Sequence, residues 1–161
     1  MIKILFICHG NICRSPMAEF VMKDMVAKLG REGEFQIASA ATSREELGNP
    51  VHPGARKKLA EAGICCDSKR AVQVKKEDYD KYDLLVVMDQ RNIGNILRIF
   101  GNDPDHKIHR LLSFSGGAGD GGDIADPWYT GNFDVAYDDI MRGCRGILAW
   151  LNQKEDGGDA L

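Results

Sequence analysis

The segment CHGNICRS, residues 8–15, places a cysteine and an arginine six positions apart directly after an apolar run. Backbone N–H groups in a tight turn that leads into a helix lack partners and converge on one point. The helix N-terminus adds partial positive charge, and Arg14 adds a planar fork that matches phosphate oxygens. Because these surroundings favour the thiolate of Cys8, the spacing indicates nucleophilic attack on phosphorus and a phosphocysteine intermediate.

The predicted phosphate-binding loop follows the nucleophile. Other phosphate-binding loops fit poorly, since the chain has no GxxxxGK[ST] pattern and no GxGxxG fingerprint after its first apolar run. Gly10 and Asn11 both suit unusual backbone angles. The predicted loop consists of His9, Gly10, Asn11, Ile12, Cys13, Arg14 and Ser15, with His9 at its rim.

Asp126 is the best candidate for the general acid that a cysteine nucleophile needs to protonate the leaving oxygen. It precedes Pro127, which holds it in an extended backbone conformation, and Trp128 and Tyr129 follow at once. These aromatic side chains can wall a pocket for a phenyl ring. From the residues alone an alternative stays open, in which the Asp-Pro pair marks a turn and Trp128 packs in the core.

Apolar patterns predict the elements that position these residues. Ser15 is the expected N-cap of the first helix, with Pro16 at its first position and Gly30 as its stop. A further short helix is expected at KEDYDKY. Strands are predicted over 2–7, 35–41, 83–89 and 107–114, and the remaining helices over about 53–62, 90–100 and 133–151.

This alternation of strands and helices predicts an α/β fold. We expect a single domain whose central parallel sheet of about four strands has helices on both faces and a phosphate-binding loop after the first strand. Ligands in such sheets bind beyond the carboxyl ends of the strands, which is where the first strand places Cys8. The domain is predicted to span 1–152, with a frayed tail over 153–161.

Length and charge narrow the class of protein. A chain of 161 residues is long enough to bury a core without metal or disulfides. A net charge of −3 gives no sign of a nucleic-acid-binding surface. The apolar run at 2–7 is too short for a membrane span and has no signal-peptide cleavage pattern. We therefore expect no nucleic-acid partner, no membrane association and a monomer.

The five cysteines are odd in number and lack the spacing of a secreted disulfide framework. This pattern indicates free thiols in a reducing cytoplasm. A zinc site requires paired CxxC or HxxxH spacings, which neither the vicinal cysteine pair nor the scattered histidines provide. Neither a metal nor another cofactor is expected, and Cys65, Cys66 and Cys144 are expected to pack rather than react.

The chain resembles the low-molecular-weight protein tyrosine phosphatases over nearly its whole length. The residues that match their C-x5-R-[ST] loop are CHGNICRS, followed in the same order by SAATS at 39–43, by Met88-Asp89 after a strand and by ADPWYTG. The resemblance implies a metal-independent protein-tyrosine-phosphatase that acts on tyrosine-phosphorylated proteins and on small aryl phosphates.

The resemblance also implies a role for each matching residue. Cys8 would be the nucleophile and Arg14 the phosphate clamp, while Ser15 would donate a hydrogen bond to the Cys8 thiolate. Asp126 would protonate the tyrosyl oxygen and then activate the water that breaks the thiophosphate. Asn11 would hold a left-handed backbone conformation that shapes the loop, supported by the hydroxyl of Ser39.

The same resemblance implies a redox role and a substrate preference. Cys13 matches the second loop cysteine, which pairs with the nucleophile under oxidation; the alternative is a small buried apolar residue. Ile12 replaces the threonine of related phosphoarginine phosphatases and favours an aromatic ring. The sequence has no aromatic residue near Glu45, so the expected pocket wall consists of Ile12, Leu47, Trp128 and Tyr129. Tyr129 also matches a position that is sometimes phosphorylated.

Two other functions are compatible with parts of this pattern. A thiol-dependent arsenate reductase of the same fold needs a relay of further cysteines, which VVMDQRNIGNILRIF lacks, and Cys65-Cys66 lies too early in the chain. A non-catalytic phosphoprotein-binding module could use the anion cradle, but it has no need for Cys8, Ser15 and Asp126 together.

Overall fold

The computed structural model describes residues 1–116 and 122–156. Four parallel strands form one sheet in the order β2-β1-β3-β4. The strands are β1 (Ile2–Cys8), β2 (Phe35–Ala41), β3 (Leu84–Val87) and β4 (Ile108–Arg110). The predicted α/β fold with a parallel sheet is confirmed.

Helices connect the strands and cover both faces of the sheet. Short 3-10 turns over Glu32–Glu34 and Leu111–Phe114 supplement them. The helices are α1 (Arg14–Lys28), α2 (Pro53–Glu61), α3 (Asp78–Lys81), α4 (Gln90–Phe100), α5 (Pro127–Thr130) and α6 (Phe133–Asp156).

The sheet separates two apolar clusters because alternate side chains of a strand point to opposite faces. Ile4 and Phe6 of β1 pack in the larger cluster, which contains buried residues of α1, α2 and α6. Leu5 and Ile7 of the same strand pack in the smaller cluster with residues of α3 and α4. Burial on both faces explains why the central strands are continuous apolar runs rather than alternating ones.

The fourth strand is shorter than predicted. The apolar run at 107–114 was expected to be one strand, but β4 ends at Arg110 and Leu111–Phe114 form a 3-10 turn. This turn packs closely against α6, where a Cβ on Gly146 would collide with the carbonyl of Phe114. The apolar residues at 111–114 therefore face a helix, which a pattern of hydrophobicity alone does not distinguish from a strand.

Two other boundaries differ from the prediction. The third strand ends at Val87, because Asp89 instead caps α4 by accepting a hydrogen bond from the backbone N–H of Asn92. The last helix continues to Asp156, four residues into the segment predicted as a frayed tail. Residues 157–161 of that tail lie outside the described residues.

The strand order places the catalytic candidates at a topological switch point. β1 lies between β2 and β3, so the chain leaves β1 towards one side of the sheet and later returns on its other side. Ligands in such sheets bind outside the carboxyl ends at this position, where Cys8 ends β1 and Asp89 follows β3. No helix in the described part of the chain is long and apolar enough to cross a membrane.

Candidate active site

The sulfur of Cys8 lies at the base of the loop between β1 and α1. The backbone N–H of Asn11 donates to it over 3.3 Å, and the hydroxyl of Ser15 lies 3.0 Å away. The N-terminus of α1 begins at Arg14, so its partial positive charge lies beside the sulfur. The prediction that Ser15 is the N-cap is wrong, because Cys13 occupies that position and the Ser15 hydroxyl contacts Cys8 instead.

Asn11 connects the loop to the elements around it. Its φ of 61° is left-handed, as the resemblance implied. Its side-chain oxygen accepts from the backbone N–H of Val72 at 3.1 Å, which can only donate, so the amide orientation is fixed. The two amide hydrogens then go to the hydroxyls of Ser15, at 2.7 Å, and Ser39, at 2.9 Å.

The ionisation of Cys8 determines which group donates between Ser15 and Cys8. The Ser15 oxygen accepts from Asn11, and its own hydrogen remains available for the sulfur 3.0 Å away. A thiolate carries no hydrogen, so Ser15 is the donor whenever Cys8 is ionised. The contacts agree with the role that the resemblance implied for Ser15.

A buried carboxylate anchors the other end of this hydrogen-bond chain. The hydroxyl of Ser39 donates to Glu19 over 2.6 Å. Glu19 also contacts Lys23 at 2.6 Å and Lys69 at 3.6 Å. Burial lowers the pKa of Lys69, and Glu19 opposes that effect.

Sequence reasoning missed Glu19 and gave Lys69 no role. A signal for Glu19 existed, because a carboxylate one helical turn after Ser15 lies on an otherwise buried part of α1. Lys69 lies in SKRAVQ at 68–73, and its ammonium also donates to the carbonyl of Ser39 at 2.9 Å.

The guanidinium of Arg14 is held in a defined orientation. Its Nη1 donates to Asp89 at 2.7 Å and to the carbonyl of Ile124 at 2.8 Å. Nη2 lies 3.5 Å from Asp126, and Nε has no hydrogen-bond partner among the described residues. Both hydrogens of Nη1 are thus committed, which leaves the Nε–Nη2 edge for a bidentate contact with an anion.

Electrostatics keep Arg14 charged although it is buried. Burial alone would lower the pKa of Arg14, but the negative charges of Cys8, Asp89 and Asp126 outweigh it and raise that pKa overall. Sequence reasoning noted Asp89 after a strand but missed its contact with Arg14, which joins residues 75 positions apart.

Asp126 lies both at the start of a helix and beside the phosphate-binding loop, so it has features of both interpretations that the sequence left open. It is the N-cap of α5, and its Oδ1 accepts from the backbone N–H of Trp128 at 3.1 Å. Its Oδ2 is directed towards Arg14. Trp128 is 55% exposed and therefore does not pack in the core. The Asp-Pro pair thus marks a helix start and also presents a carboxylate beside the loop.

Cys8, Arg14 and Asp126 line one cavity of about 110 Å³. Of the predicted wall residues, Ile12, Trp128 and Tyr129 line it. Leu47 does not, and it is 54% exposed, which corrects the prediction. The two acidic residues that precede Leu47, Glu45 and Glu46, line the cavity instead. Glu46 lies close to the loop, since a Cβ on Gly10 would be 3.3 Å from its Cγ.

Two histidines support the edges of the cavity. His9 lies at the rim, as predicted, with Nε2 at 2.8 Å from a carboxylate oxygen of Glu45. His52, which sequence reasoning missed, stacks on Phe133 at 5.1 Å and meets Trp128 edge-on at 5.6 Å between ring centroids. Its backbone N–H donates to the carbonyl of Ile12. His52 therefore links the position of the aromatic wall to the phosphate-binding loop.

The remaining cysteines differ from Cys8 in their surroundings. Cys13 also lines the cavity, and burial, together with the nearby negative charge of Cys8, raises the pKa of its thiol to about 12. Cys66 and Cys144 are buried and Cys65 is exposed, and none of these three lines this cavity. The residues that the structure describes contain no group of three or more histidine, cysteine and acidic side chains that could hold a metal ion.

Comparisons with known proteins agree on one family. The model of a family described as "Low molecular weight phosphotyrosine protein phosphatase" matches residues 3–156. The relative YfkJ of Bacillus subtilis, a low molecular weight protein-tyrosine-phosphatase, is 42% identical over 155 residues, which cover 96% of this chain and 98% of that protein.

Solved structures give the same result. The crystal structure of YfkJ matches with a TM-score of 0.91 at 40% identity, covering 96% of each chain. SP-PTP, a low molecular weight protein tyrosine phosphatase from Streptococcus pyogenes, matches with a TM-score of 0.83 at 37% identity, covering 94% of this chain and 93% of that one. Wzb of Vibrio vulnificus, in complex with benzylphosphonate, matches with a TM-score of 0.78 at 25% identity, covering 94% and 98%.

Proposed function

Because this chain belongs to the low molecular weight phosphotyrosine protein phosphatase family, we propose that it hydrolyses phosphotyrosine through a phosphocysteine intermediate. The observation that supports this proposal most strongly is the meeting of three groups in one cavity. A sulfur with two hydrogen-bond donors, a guanidinium with a free edge and a carboxylate are the nucleophile, the anion clamp and the proton donor of such a reaction.

In the first step Cys8 attacks phosphorus as a thiolate. The S–P bond forms while the bond from phosphorus to the tyrosyl oxygen breaks, and Asp126 gives its proton to that oxygen. Arg14 holds two phosphoryl oxygens through Nε and Nη2, and the loop amides bind the remaining charge. The donors to Cys8 from Asn11 and Ser15 stabilise the thiolate before attack.

In the second step a water molecule replaces the sulfur. Asp126, now a carboxylate, takes a proton from the water as its oxygen attacks phosphorus. The S–P bond breaks, inorganic phosphate leaves, and the sulfur recovers the electron pair. Ser15 favours this departure because its hydroxyl donates to the thiolate that forms.

The wall of the cavity supports an aryl group as the leaving side of the substrate. Ile12, Trp128 and Tyr129 offer apolar and aromatic surface without a charge, which suits the phenyl ring of phosphotyrosine and small aryl phosphates. The related Wzb, whose structure contains benzylphosphonate, holds a ligand of that kind.

The comparisons favour neither alternative function, since YfkJ and SP-PTP are both named low molecular weight protein tyrosine phosphatases. An arsenate reductase needs further cysteines beyond the loop of Cys8 and Cys13 to continue its relay, whereas Cys65 and Cys66 lie outside the cavity. A binding module has no use for an acid opposite a nucleophile.

We also propose that oxidation controls the activity through Cys8 and Cys13. Peroxide would oxidise the Cys8 thiolate to a sulfenic acid, and the Cys13 thiol would displace its hydroxyl, forming a disulfide and water. Mass spectrometry of the oxidised loop peptide tests this.

The proposed location is the cytoplasm, because five free cysteines suit a reducing compartment. We also propose that the protein is a monomer, which sedimentation at micromolar concentration tests.

The decisive experiment compares the wild type with Cys8→Ser on a phosphotyrosine peptide. The variant should lose turnover completely and still bind the peptide, because serine keeps the shape of the loop but is a far weaker nucleophile. Cys65→Ser is the matched control, since its thiol is exposed and outside the cavity, and it should keep full activity. Turnover by Cys8→Ser at the wild-type rate would exclude the mechanism.

A further inference from the structure

A second cavity of about 500 Å³ opens directly beside the catalytic one. Both cavities are lined by His9, Arg14, Asp126 and Tyr129. The remainder of the second cavity is lined by residues of α4 and its N-cap. The two therefore form one continuous depression, and we call its outer part the α4 groove.

The α4 groove contains two exposed arginines without an acidic partner. Arg91 and Arg98 lie seven positions apart on α4, which places them on the same face, about 10 Å apart along the axis. Among the described residues, Arg98 contacts only the side-chain oxygen of Asn95, at 3.0 Å, and Arg91 has no hydrogen bond or ion pair. The groove is lined by three arginines, Arg14 included, and by the two carboxylates of Asp89 and Asp126, so one positive charge remains in excess.

The part of the catalytic cavity outside the α4 groove has the opposite charge. Glu45 and Glu46 line it there, and the neighbouring Arg44 lines neither cavity. The lining of the depression thus has an excess of arginine at α4 and of carboxylate at Glu45 and Glu46. This asymmetry stands out in a chain whose net charge is −3.

We propose that the α4 groove binds an aspartate or glutamate side chain of the substrate polypeptide, a few residues from the phosphotyrosine. The inference rests on the proposed function, since the groove begins where the phosphotyrosine would be bound. Arginine is well suited to carboxylates, and surface charges beside a binding site select partners and speed their association. Because only one side is basic, the acidic residue is preferred on one flank of the phosphotyrosine and disfavoured on the other.

The test uses three phosphotyrosine peptides of equal length. One has two glutamates N-terminal to the phosphotyrosine, one has them C-terminal, and one has alanines at all those positions. We expect kcat/KM to rise about three- to tenfold for one of the two acidic peptides, the range for one or two exposed ion pairs. This preference should shrink at 0.5 M salt (~4 Å screening length).

The double variant Arg91→Ala/Arg98→Ala should bring the ratio between the favoured peptide and the alanine peptide close to one. Arg142→Ala/Arg145→Ala on α6 is the matched control, because it removes the same charge from two exposed arginines outside both cavities. The control should keep the wild-type ratio. Arg91→Glu/Arg98→Glu should reverse the preference for the favoured peptide.

Failure of the groove assignment and failure of the proposed function give different results in this test. Equal rates on all three peptides, equal gains for both acidic peptides, or a ratio that survives the double variant would overturn the groove assignment. A small aryl phosphate, which has no flanking residues, serves as the reference. If the wild type does not hydrolyse it, the proposed function itself fails, and the groove assignment fails with it.

Discussion

The floor and the rim of the catalytic cavity are built in opposite ways. Asn11, Ser15 and Ser39 at the floor are at most 1% exposed and hydrogen-bond to one another. Trp128 and Tyr129 at the rim are 55% and 79% exposed. A buried polar group that loses its partner costs free energy, so the floor tolerates one arrangement, whereas exposed rings can adjust to different ligands.

This difference predicts how substitutions divide between rate and affinity. Preorganised donors act on charge that develops in the transition state, so changes at the floor should lower kcat. Exposed side chains contact the substrate similarly before and during the reaction, so changes at the rim should raise KM.

The largest effect is expected for Arg14→Lys. An ammonium cannot contact Asp89, the carbonyl of Ile124 and two phosphoryl oxygens in one plane. We expect kcat to fall about 10²–10³-fold, as for the loss of an oxyanion donor. Steady-state kinetics with Arg142→Lys as the exposed control measures this, and a near-normal kcat would contradict a bidentate clamp.

Asp126→Asn should have a large effect that depends on the leaving group. The amide cannot protonate a departing oxygen, so hydrolysis of phosphotyrosine should slow about 10²–10³-fold. An ester of a strongly acidic phenol needs little protonation and should slow much less. Glu45→Gln at the rim of the same cavity is the control. Equal slowing of both esters would remove Asp126 as the acid.

The site residues that the sequence predicts are those with a local sequence pattern. Cys8 and Arg14 were predictable because the loop is contiguous, and Asp126 because its local pattern is distinctive. Glu19 and Asp89 were missed as site residues because their contacts join separate elements. Leu47 was expected in the pocket wall because it is apolar, but it is exposed, so hydrophobicity alone does not predict where a side chain of a turn points.

The elements of the fold also differ in how well the sequence predicts them. Strands buried on both faces have continuous apolar runs, so β1 and β3 were predictable. The 3-10 turn at Leu111–Phe114 was not, because its form depends on the close approach of α6 at Gly146, a contact distant in sequence.

A smaller effect at the floor is expected for Lys69→Met. Removing this cation leaves Glu19 with Lys23 as its ion-pair partner and frees the carbonyl of Ser39. We expect kcat to fall about tenfold, as for one buried polar group that loses its partner, with little change in KM. A change confined to KM would mean that Lys69 does not act through the hydrogen-bonded group of Asn11, Ser15 and Ser39.

The pH profile separates the charge of Lys69 from its bulk. Burial lowers the pKa of Lys69, so the wild type should lose this cation as the pH rises, below the pH at which an exposed lysine is deprotonated. Lys69→Arg stays charged throughout and should keep activity to higher pH. A fall in activity at the same alkaline pH in both proteins would assign that fall to another group.

The smallest effect is expected at the rim, for Trp128→Ala. Loss of the ring removes aromatic contact worth about 0.5–1.5 kcal/mol, so KM for phosphotyrosine should rise about two- to tenfold. The hydrogen bond from residue 128 to Asp126 comes from the backbone N–H and survives the substitution, so kcat should stay nearly constant. Val135→Ala, which removes exposed apolar surface outside both cavities, is the control. A fall in kcat at constant KM would instead mean that the ring holds Asp126 in place, and the division between floor and rim would then fail at this residue.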